Sequence, residues 1–160
     1  YFQAMERVKA VGGLRAEEDK AAQVEAEAED VPDIGLLRAR LAYDGGYYQS
    51  ALLALSLRGI DGMSREQLLE RSYRMARIFQ AMGMESAATN GFRSVVQTGH
   101  FSKSHYPANS ALQVAIHFEH EGMLDSSEYY YRLCLSMPDH PYRNSIDRSA
   151  REGIRRLEAR

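Results

Sequence analysis

A five-position pattern with constant internal spacing occurs three times in this 160-residue chain. The five positions are i, i+3, i+7, i+12 and i+16. The residues at i and i+12 are small, the residue at i+7 is Gly, and the residue at i+16 is bulky, while position i+3 is aromatic in two copies. Such a period indicates one supersecondary unit used three times, so we predict a repeat array. The copies are Ala39, Ala42, Gly46, Ala51 and Leu55; Ala76, Phe79, Gly83, Ala88 and Phe92; and Ala115, Phe118, Gly122, Ser127 and Tyr131, with the glycines 37 and 39 residues apart.

The pattern predicts a pair of helices in each unit. The small residues let the two helices approach closely, and each Gly lies where the first helix should end, because Gly tolerates the left-handed backbone of a tight helix stop. Ser64 with Gln67, and Asp125 with Glu128, have the spacing of capping boxes. The predicted helices span about 33–44, 47–58, 65–82, 85–98, 106–121 and 125–137, and a last helix begins near Asn144 as its N-cap.

This pattern resembles the tetratricopeptide (TPR) repeat, a helix–turn–helix unit of about 34 residues. The resemblance covers about residues 33–142 and is weakest in the first copy, where Gly35, Arg38 and Ala42 replace bulkier or apolar residues. It implies an all-α fold, a right-handed α–α superhelix of three helix pairs. The motif residues are Ser72, Met75, Ala76, Phe79, Ala88 and Phe92 in the second copy, and Ala111, Val114, Ala115, Phe118, Ser127 and Tyr131 in the third.

A looser resemblance points to TPR proteins of unassigned role from Bacteroidetes-type bacteria. The longer loops, the tyrosine run 129–131 and the segment 135–147 carry it, over about residues 36–157. It leaves the compartment open between the cytoplasm and the bacterial envelope.

The predicted TPR domain occupies residues 32–160. Residues 1–4 look like the remainder of a protease-cleavage linker. Residues 5–31 are predicted to form an acidic helical arm, because this part of the chain is rich in Ala and Glu and residues 1–30 hold eight acidic and four basic side chains. The predicted repeats cover about 33–63, 64–105 and 106–143, and residues 144–160 are predicted to be a helix that caps the last repeat.

The sequence predicts neither catalysis nor a cofactor. It contains no nucleophile-elbow motif and no Gly-rich phosphate loop after a strand pattern. His117 and His120, with Glu119 and Glu121, form the densest group of metal-ligand residue types. Their spacing is not that of a His-Glu-x-x-His site and no third ligand is obvious nearby, so we predict no metal site.

Charge and hydropathy also argue against nucleic acid and a membrane span. Arg148, Arg151 and Arg155 share one face of the last predicted helix. The net charge of the chain is −2, however, and domains that bind nucleic acid are usually strongly basic. No run of about 18 apolar residues is present. Cys134 lies within an apolar helical pattern and is predicted to be a buried, unreactive side chain.

In TPR proteins the first helices of successive pairs line a concave surface that holds peptides. The residues that follow Ala39, Ala76 and Ala115 are predicted to face it, with their neighbours one turn earlier and later. Since the planar guanidinium of Arg can donate two parallel hydrogen bonds to a carboxylate, we expect an acidic peptide or a free C-terminus there. The alternative is that these arginines are solvated or pair locally, as Glu70 and Arg74 can. The predicted groove residues are Leu36, Arg40, Tyr43, Tyr73, Arg77, Gln80, Leu112, Ile116 and Glu119.

Two functions are therefore expected. The first is a non-enzymatic interaction scaffold that binds a peptide or protein segment in its groove. The Lys and Asn set with which the chaperone-binding branch of the TPR family holds its ligands is not reproduced here. The second is a structural self-assembly module, in which the acidic arm docks in its own groove or in that of a neighbouring copy.

Overall fold

The computed structural model describes residues 32–159, and the described residues form seven α-helices and no strand. The predicted all-α class is therefore confirmed. The predicted arm, residues 5–31, lies outside the described residues. The helices are α1 (Ile34–Asp44), α2 (Tyr48–Arg58), α3 (Arg65–Ala81), α4 (Glu85–Gly99), α5 (Tyr106–His120), α6 (Leu124–Leu135) and α7 (Arg143–Glu158).

Consecutive helices pack as three pairs, α1 with α2, α3 with α4 and α5 with α6. Each pair is joined by a three-residue turn, so its two helices run antiparallel. The first helices of neighbouring pairs also contact each other, α1 with α3 and α3 with α5, and α7 packs on α6 and α5. The pairs therefore stack in sequence order, and α7 covers the last of them.

The small residues of the sequence pattern lie at the contacts within the pairs. Ala39 and Ala51, and Ala76 and Ala88, are buried, and each of these pairs of alanines lies in one core cluster. In the third pair, the buried Ser127 hydroxyl donates a 2.8 Å hydrogen bond to the Ala115 carbonyl. The bulky residues that close each pattern, Leu55, Phe92 and Tyr131, are buried beside these contacts.

The predicted helix stops are confirmed by the backbone. Gly46, Gly83 and Gly122 have φ of 78°, 74° and 73°, the left-handed region that Gly adopts without steric cost. The capping box at the start of α3 is also confirmed. The Ser64 N–H donates to Gln67 Oε1 at 2.9 Å, and the Gln67 N–H donates to Ser64 Oγ at 3.2 Å.

Two predicted caps are wrong. The N-cap of α6 is Met123, so Asp125 lies inside the first turn, and Glu128 accepts hydrogen bonds from Arg132 instead of closing a capping box. The N-cap of α7 is Tyr142, not Asn144. Tyr142 has φ 64°, a left-handed conformation that is unusual for a residue with an aromatic side chain and that its sequence neighbours do not indicate.

A glycine in α7 allows this helix to pack closely on the third pair. A Cβ atom added at Gly153 would overlap the ring of Tyr131, which is fully buried. The absence of a side chain therefore lets α7 approach α6 and close the core around Tyr131, Ile146 and Ala150.

We predict that Gly153→Ala lowers the free energy of unfolding by about 1–3 kcal/mol, because the added methyl group must displace a fully buried ring. At an unhindered helical site the same change raises stability by about 1 kcal/mol, so the sign of the effect is diagnostic. Urea unfolding followed by circular dichroism measures it, with Glu152→Ala on the exposed side of α7 as the control. A Gly153→Ala protein that is more stable than wild type would contradict the packing described for α7.

Candidate peptide-binding surface

The structure separates the nine predicted groove residues into a buried set and an accessible set. Four residues correspond to about 400° of rotation along an α-helix. A side chain four positions before an accessible one therefore points about 40° to one side of it, toward the neighbouring helices. Leu36, Tyr73 and Leu112 each lie one turn earlier and pack into the three core clusters. Arg40 is exposed, and the partly exposed predicted residues are Tyr43, Arg77, Gln80 and Ile116.

Glu119 is also buried, because it is held by residues of two other helices. Its carboxylate accepts a hydrogen bond from the Tyr131 hydroxyl at 2.7 Å, and two from the Arg156 guanidinium at 3.2 and 2.9 Å. Arg156 comes from α7, 37 residues further along the chain. This carboxylate stabilises the end of the array and leaves little surface for a ligand.

Arg77 is the centre of the accessible surface, and its hydrogen-bond partners are hydroxyl groups. It donates hydrogen bonds to the Tyr73 hydroxyl at 3.1 Å and to the Tyr43 hydroxyl at 2.9 Å. Its guanidinium carbon also lies 5.4 Å from the centroid of the Tyr43 ring, within the range of a cation–π contact. Its Nε is buried without an acceptor, and no carboxylate of residues 32–159 pairs with it.

Tyr73 does not neutralise this charge. Burial raises the pKa of Tyr73 above its usual value, although the nearby charges of Arg77 and Arg74 act in the opposite direction. Tyr73 therefore stays a neutral hydroxyl at pH 7. The Arg77 guanidinium is partly removed from water and positioned by two tyrosine hydroxyls, and no carboxylate of residues 32–159 pairs with its charge.

The neighbouring arginines differ from Arg77. Arg74 is paired with Glu70 one turn earlier, with 2.7 Å between Nε and Oε1, so the local pairing considered from the sequence is present there. Arg40 lies 3.9 Å from Asp44, and both side chains are largely exposed. An exposed pair of this kind contributes little and is easily exchanged for another carboxylate.

Amide side chains continue the surface from α3 to α5. Gln80 Nε2 donates to Gln113 Oε1 at 2.9 Å, and Gln113 Nε2 lies 3.4 Å from Asn109 Oδ1. Each amide offers both donors and an acceptor, the groups needed to bind an extended peptide backbone. Asn109 and Gln113 were not among the predicted groove residues. They occupy the repeat positions of Glu70 and Arg74, 39 residues later, so the period itself could have identified them.

An aromatic cluster adjoins Tyr73 on the side away from Tyr43. The ring of His105 lies 6.0 Å from that of Tyr73, 4.4 Å from that of Tyr106 and 5.0 Å from that of Tyr142, measured between centroids. Burial lowers the pKa of His105 to about 4, and electrostatic interactions with His140 and with nearby arginines act in the same direction. His105 is therefore neutral at pH 7. No sequence motif indicated this cluster, which joins three separate stretches of the chain.

The other groups considered from the sequence lie apart from this surface. His117 Nδ1 lies 3.9 Å from Glu85, and within residues 32–159 no group of three or more metal-ligand side chains comes together. Cys134 is buried, and burial together with the nearby Asp147 raises the pKa of its thiol to about 12. None of the described helices has the length and apolar character needed to cross a membrane.

Comparisons with protein-family models, with curated proteins and with solved structures found no match for this chain.

We predict that His105 makes stability depend on pH in the acidic range. Its pKa is about 4 in the folded protein, below the usual 6.5, so between these values the unfolded chain binds the proton first. The contribution of His105 to the free energy of unfolding is complete above about pH 7 and decreases as the pH falls toward 4. Urea unfolding at several pH values should show a shallower decrease for His105→Phe, which keeps an aromatic ring and removes the titrating group.

An NMR titration of the His105 ring provides the control, with a midpoint expected near pH 4. Equal pH slopes for the wild type and His105→Phe, or a ring that titrates near its usual 6.5, would contradict this account.

Proposed function

We propose that the chain is a TPR-type interaction scaffold that binds a peptide or protein segment through a carboxylate, on the surface formed by α1, α3 and α5. The observation that carries the proposal is Arg77, whose guanidinium is positioned by Tyr43 and Tyr73 and pairs with no carboxylate of the described residues. The order of the stacked pairs supports the repeat architecture. The three helix pairs with left-handed Gly stops support the same architecture.

The energetics favour a carboxylate as the ligand of Arg77. Removing a charge from water is costly unless a counter-charge or hydrogen bonds compensate, and the buried Nε of Arg77 has no acceptor. A ligand carboxylate that receives two parallel hydrogen bonds from the remaining N–H groups of Nη1 and Nη2 would supply the counter-charge. Arg40 adds a second positive charge, and the Tyr43 ring offers an apolar face to a neighbouring ligand side chain.

The amide row from Gln80 to Asn109 extends the proposed site along the surface. Hydrogen bonds to a peptide backbone carry no side-chain preference, whereas Arg77 selects for a carboxylate. The expected ligand is therefore an extended segment in which one acidic group, either a side chain or a free C-terminus, is required and the rest is loosely specified.

We predict that Arg77→Gln weakens binding of such segments at least about tenfold, since a charge-assisted hydrogen bond is worth about 1.5–3 kcal/mol. Ligands are first selected by the wild-type protein from a library of random peptides with free C-termini. Fluorescence anisotropy then compares each peptide with its amidated form and with Asp/Glu replaced by Asn/Gln. The matched control is Arg93→Gln, which removes an exposed arginine from α4.

The expected pattern is loss of binding with Arg77→Gln and with one of the neutralised peptides, and unchanged binding with Arg93→Gln. Circular dichroism confirms that both variants are folded. Peptides that bind Arg77→Gln and wild type equally, or that bind without any carboxylate, would refute the proposed role of Arg77.

The alternative function, structural self-assembly, is favoured by the exposed outer face of α1. Leu41 is 62% exposed, whereas its counterpart 37 residues later, Ile78, is completely buried against the α1–α2 pair. The same face of α3 that packs on the preceding pair is therefore uncovered in α1, where Ile34 is also exposed. A second copy is the proposed occupant in this alternative. The arm to which the sequence analysis assigned this role lies outside the described residues.

For self-assembly through this face, sedimentation velocity should show a concentration-dependent dimer in the wild type and only monomer in Leu41→Gln, because burial of two leucine side chains would be lost. Leu57→Gln is the control, since Leu57 is also exposed, at 79% against 62% for Leu41, but lies on α2. A wild-type protein that remains monomeric at high concentration would rule the alternative out and leave the carboxylate-binding proposal unaffected.

A further inference from the structure

The turns within the three helix pairs place an exposed apolar side chain at the same position. Tyr47, Met84 and Met123 each follow the left-handed Gly and are 69%, 46% and 51% exposed. Their backbones are nearly identical, with φ of −87°, −89° and −84° and ψ of 63°, 64° and 68°. Met82 and Leu124, beside them in the same turns, are also exposed.

The turn geometry does not require these side chains. In each turn the backbone N–H of the exposed apolar residue donates a hydrogen bond to the carbonyl five residues earlier. The distance is 2.8 Å for Tyr47 and 2.9 Å for Met84 and Met123. All three residues are N-caps, a position at which Ser, Thr, Asp and Asn are preferred because their side chains can bond a free N–H. The apolar residues make no such bond. Their presence in all three turns is therefore unexplained by helix capping.

The three turns lie along one edge of the stack. Helices α1, α3 and α5 contact each other in order and all end at their turns. Side-chain contacts between neighbouring pairs confirm the alignment near these ends, since Arg77 reaches Tyr43 and His117 reaches Glu85. We call this the turn edge, comprising residues 44–50, 82–87 and 120–126.

The turn edge is acidic as well as apolar. It contains four exposed acidic residues and no Lys or Arg, although the chain has 20 basic residues. Arg40, from the middle of α1, approaches Asp44 at 3.9 Å. These acidic residues are Asp44, Glu85, Glu121 and Asp125.

Helix stability explains only two of these four acidic residues. Glu85 and Asp125 lie in the first turns of α4 and α6, where the helix dipole favours an acidic side chain. Asp44 is the last residue of α1 and Glu121 the C-cap of α5, where the dipole disfavours a negative charge. Selection for helix stability would not place acidic residues at these two ends.

We propose that the turn edge binds a basic amphipathic helix of a partner protein. The apolar face of that helix packs on Tyr47, Met84 and Met123, and its Lys or Arg side chains meet the surrounding carboxylates. Methionine suits this role because its flexible thioether adapts to ligands of different shape. With helix pairs about 10 Å apart, three turns span about 20 Å, which a helix of four turns covers. An anionic lipid surface would be repelled by the same carboxylates.

The test uses the full chain and a fluorescein-labelled, 18-residue amphipathic helix of Leu and Lys as the probe. Fluorescence anisotropy should show binding that weakens with salt, and a Leu/Glu peptide of the same spacing should bind at least about tenfold more weakly. The Met84→Gln/Met123→Gln variant should lose about tenfold or more in affinity for the Leu/Lys helix, since two apolar contacts are removed. The matched control is Leu53→Gln/Leu57→Gln, which changes two exposed leucines of α2 away from the turn edge.

A second variant tests the charge separately. Glu85→Gln/Asp125→Asn should weaken binding and make it less dependent on salt, and NMR shifts caused by the probe should map to the turn edge in the wild type. Circular dichroism melting establishes that the variants are folded. Equal losses in the Met and Leu variants, an unchanged affinity in the neutralised variant, or shifts centred on Arg77 would each overturn the proposal.

Discussion

The close contact of paired helices at small residues is the constraint on which the rest of the structure depends. Ala39 with Ala51, Ala76 with Ala88, and Ala115 with Ser127 are fully buried or nearly so, and no larger side chain would fit at these positions without separating the helices. Because each pair is fixed in this way, the first helices stack in a constant order. That order brings the Arg77 guanidinium of α3 to the Tyr43 hydroxyl of α1 and aligns the three turns on one edge.

The features predicted correctly from the sequence are those set by neighbouring residues. Left-handed Gly stops and the Ser64–Gln67 capping box depend on a few consecutive residues and the period, so the helix bounds agree within about two residues. The start of α7 depends on a left-handed Tyr142 whose ring packs on His105, 37 residues earlier, and no local pattern encodes such a contact. The groove was predicted too broadly for the same reason. The period identified the first helices, but the burial of Leu36 and Glu119 is decided by the helices that pack on them.

The buried charge of Glu119 and the partly buried charge of Arg77 have different partners within the chain. Glu119, near the end of the array, accepts hydrogen bonds from Tyr131 and Arg156, so its buried charge is compensated within the chain. The guanidinium of Arg156 remains mostly accessible, which limits the desolvation cost of that pair. Arg77, in the middle, is held only by hydroxyls among the described residues. A structure selected for stability alone would be expected to compensate both charges, and this contrast is the physical basis for proposing a ligand at Arg77.

The two proposed surfaces use different parts of the same helices and have opposite charge. Arg77 and Gln80 lie within the last five residues of α3, and the amide row continues from Gln80 to α5, whereas the turn edge begins just beyond the end of α3, at Met82. The proposed ligands differ in charge, because Arg77 attracts a carboxylate and the acidic residues of the turn edge attract Lys or Arg side chains. Both surfaces are built on helices fixed by the same alanine contacts, and the Arg40–Asp44 pair, 3.9 Å apart, joins them. Ligands of opposite charge would therefore lie next to each other on one set of fixed helices.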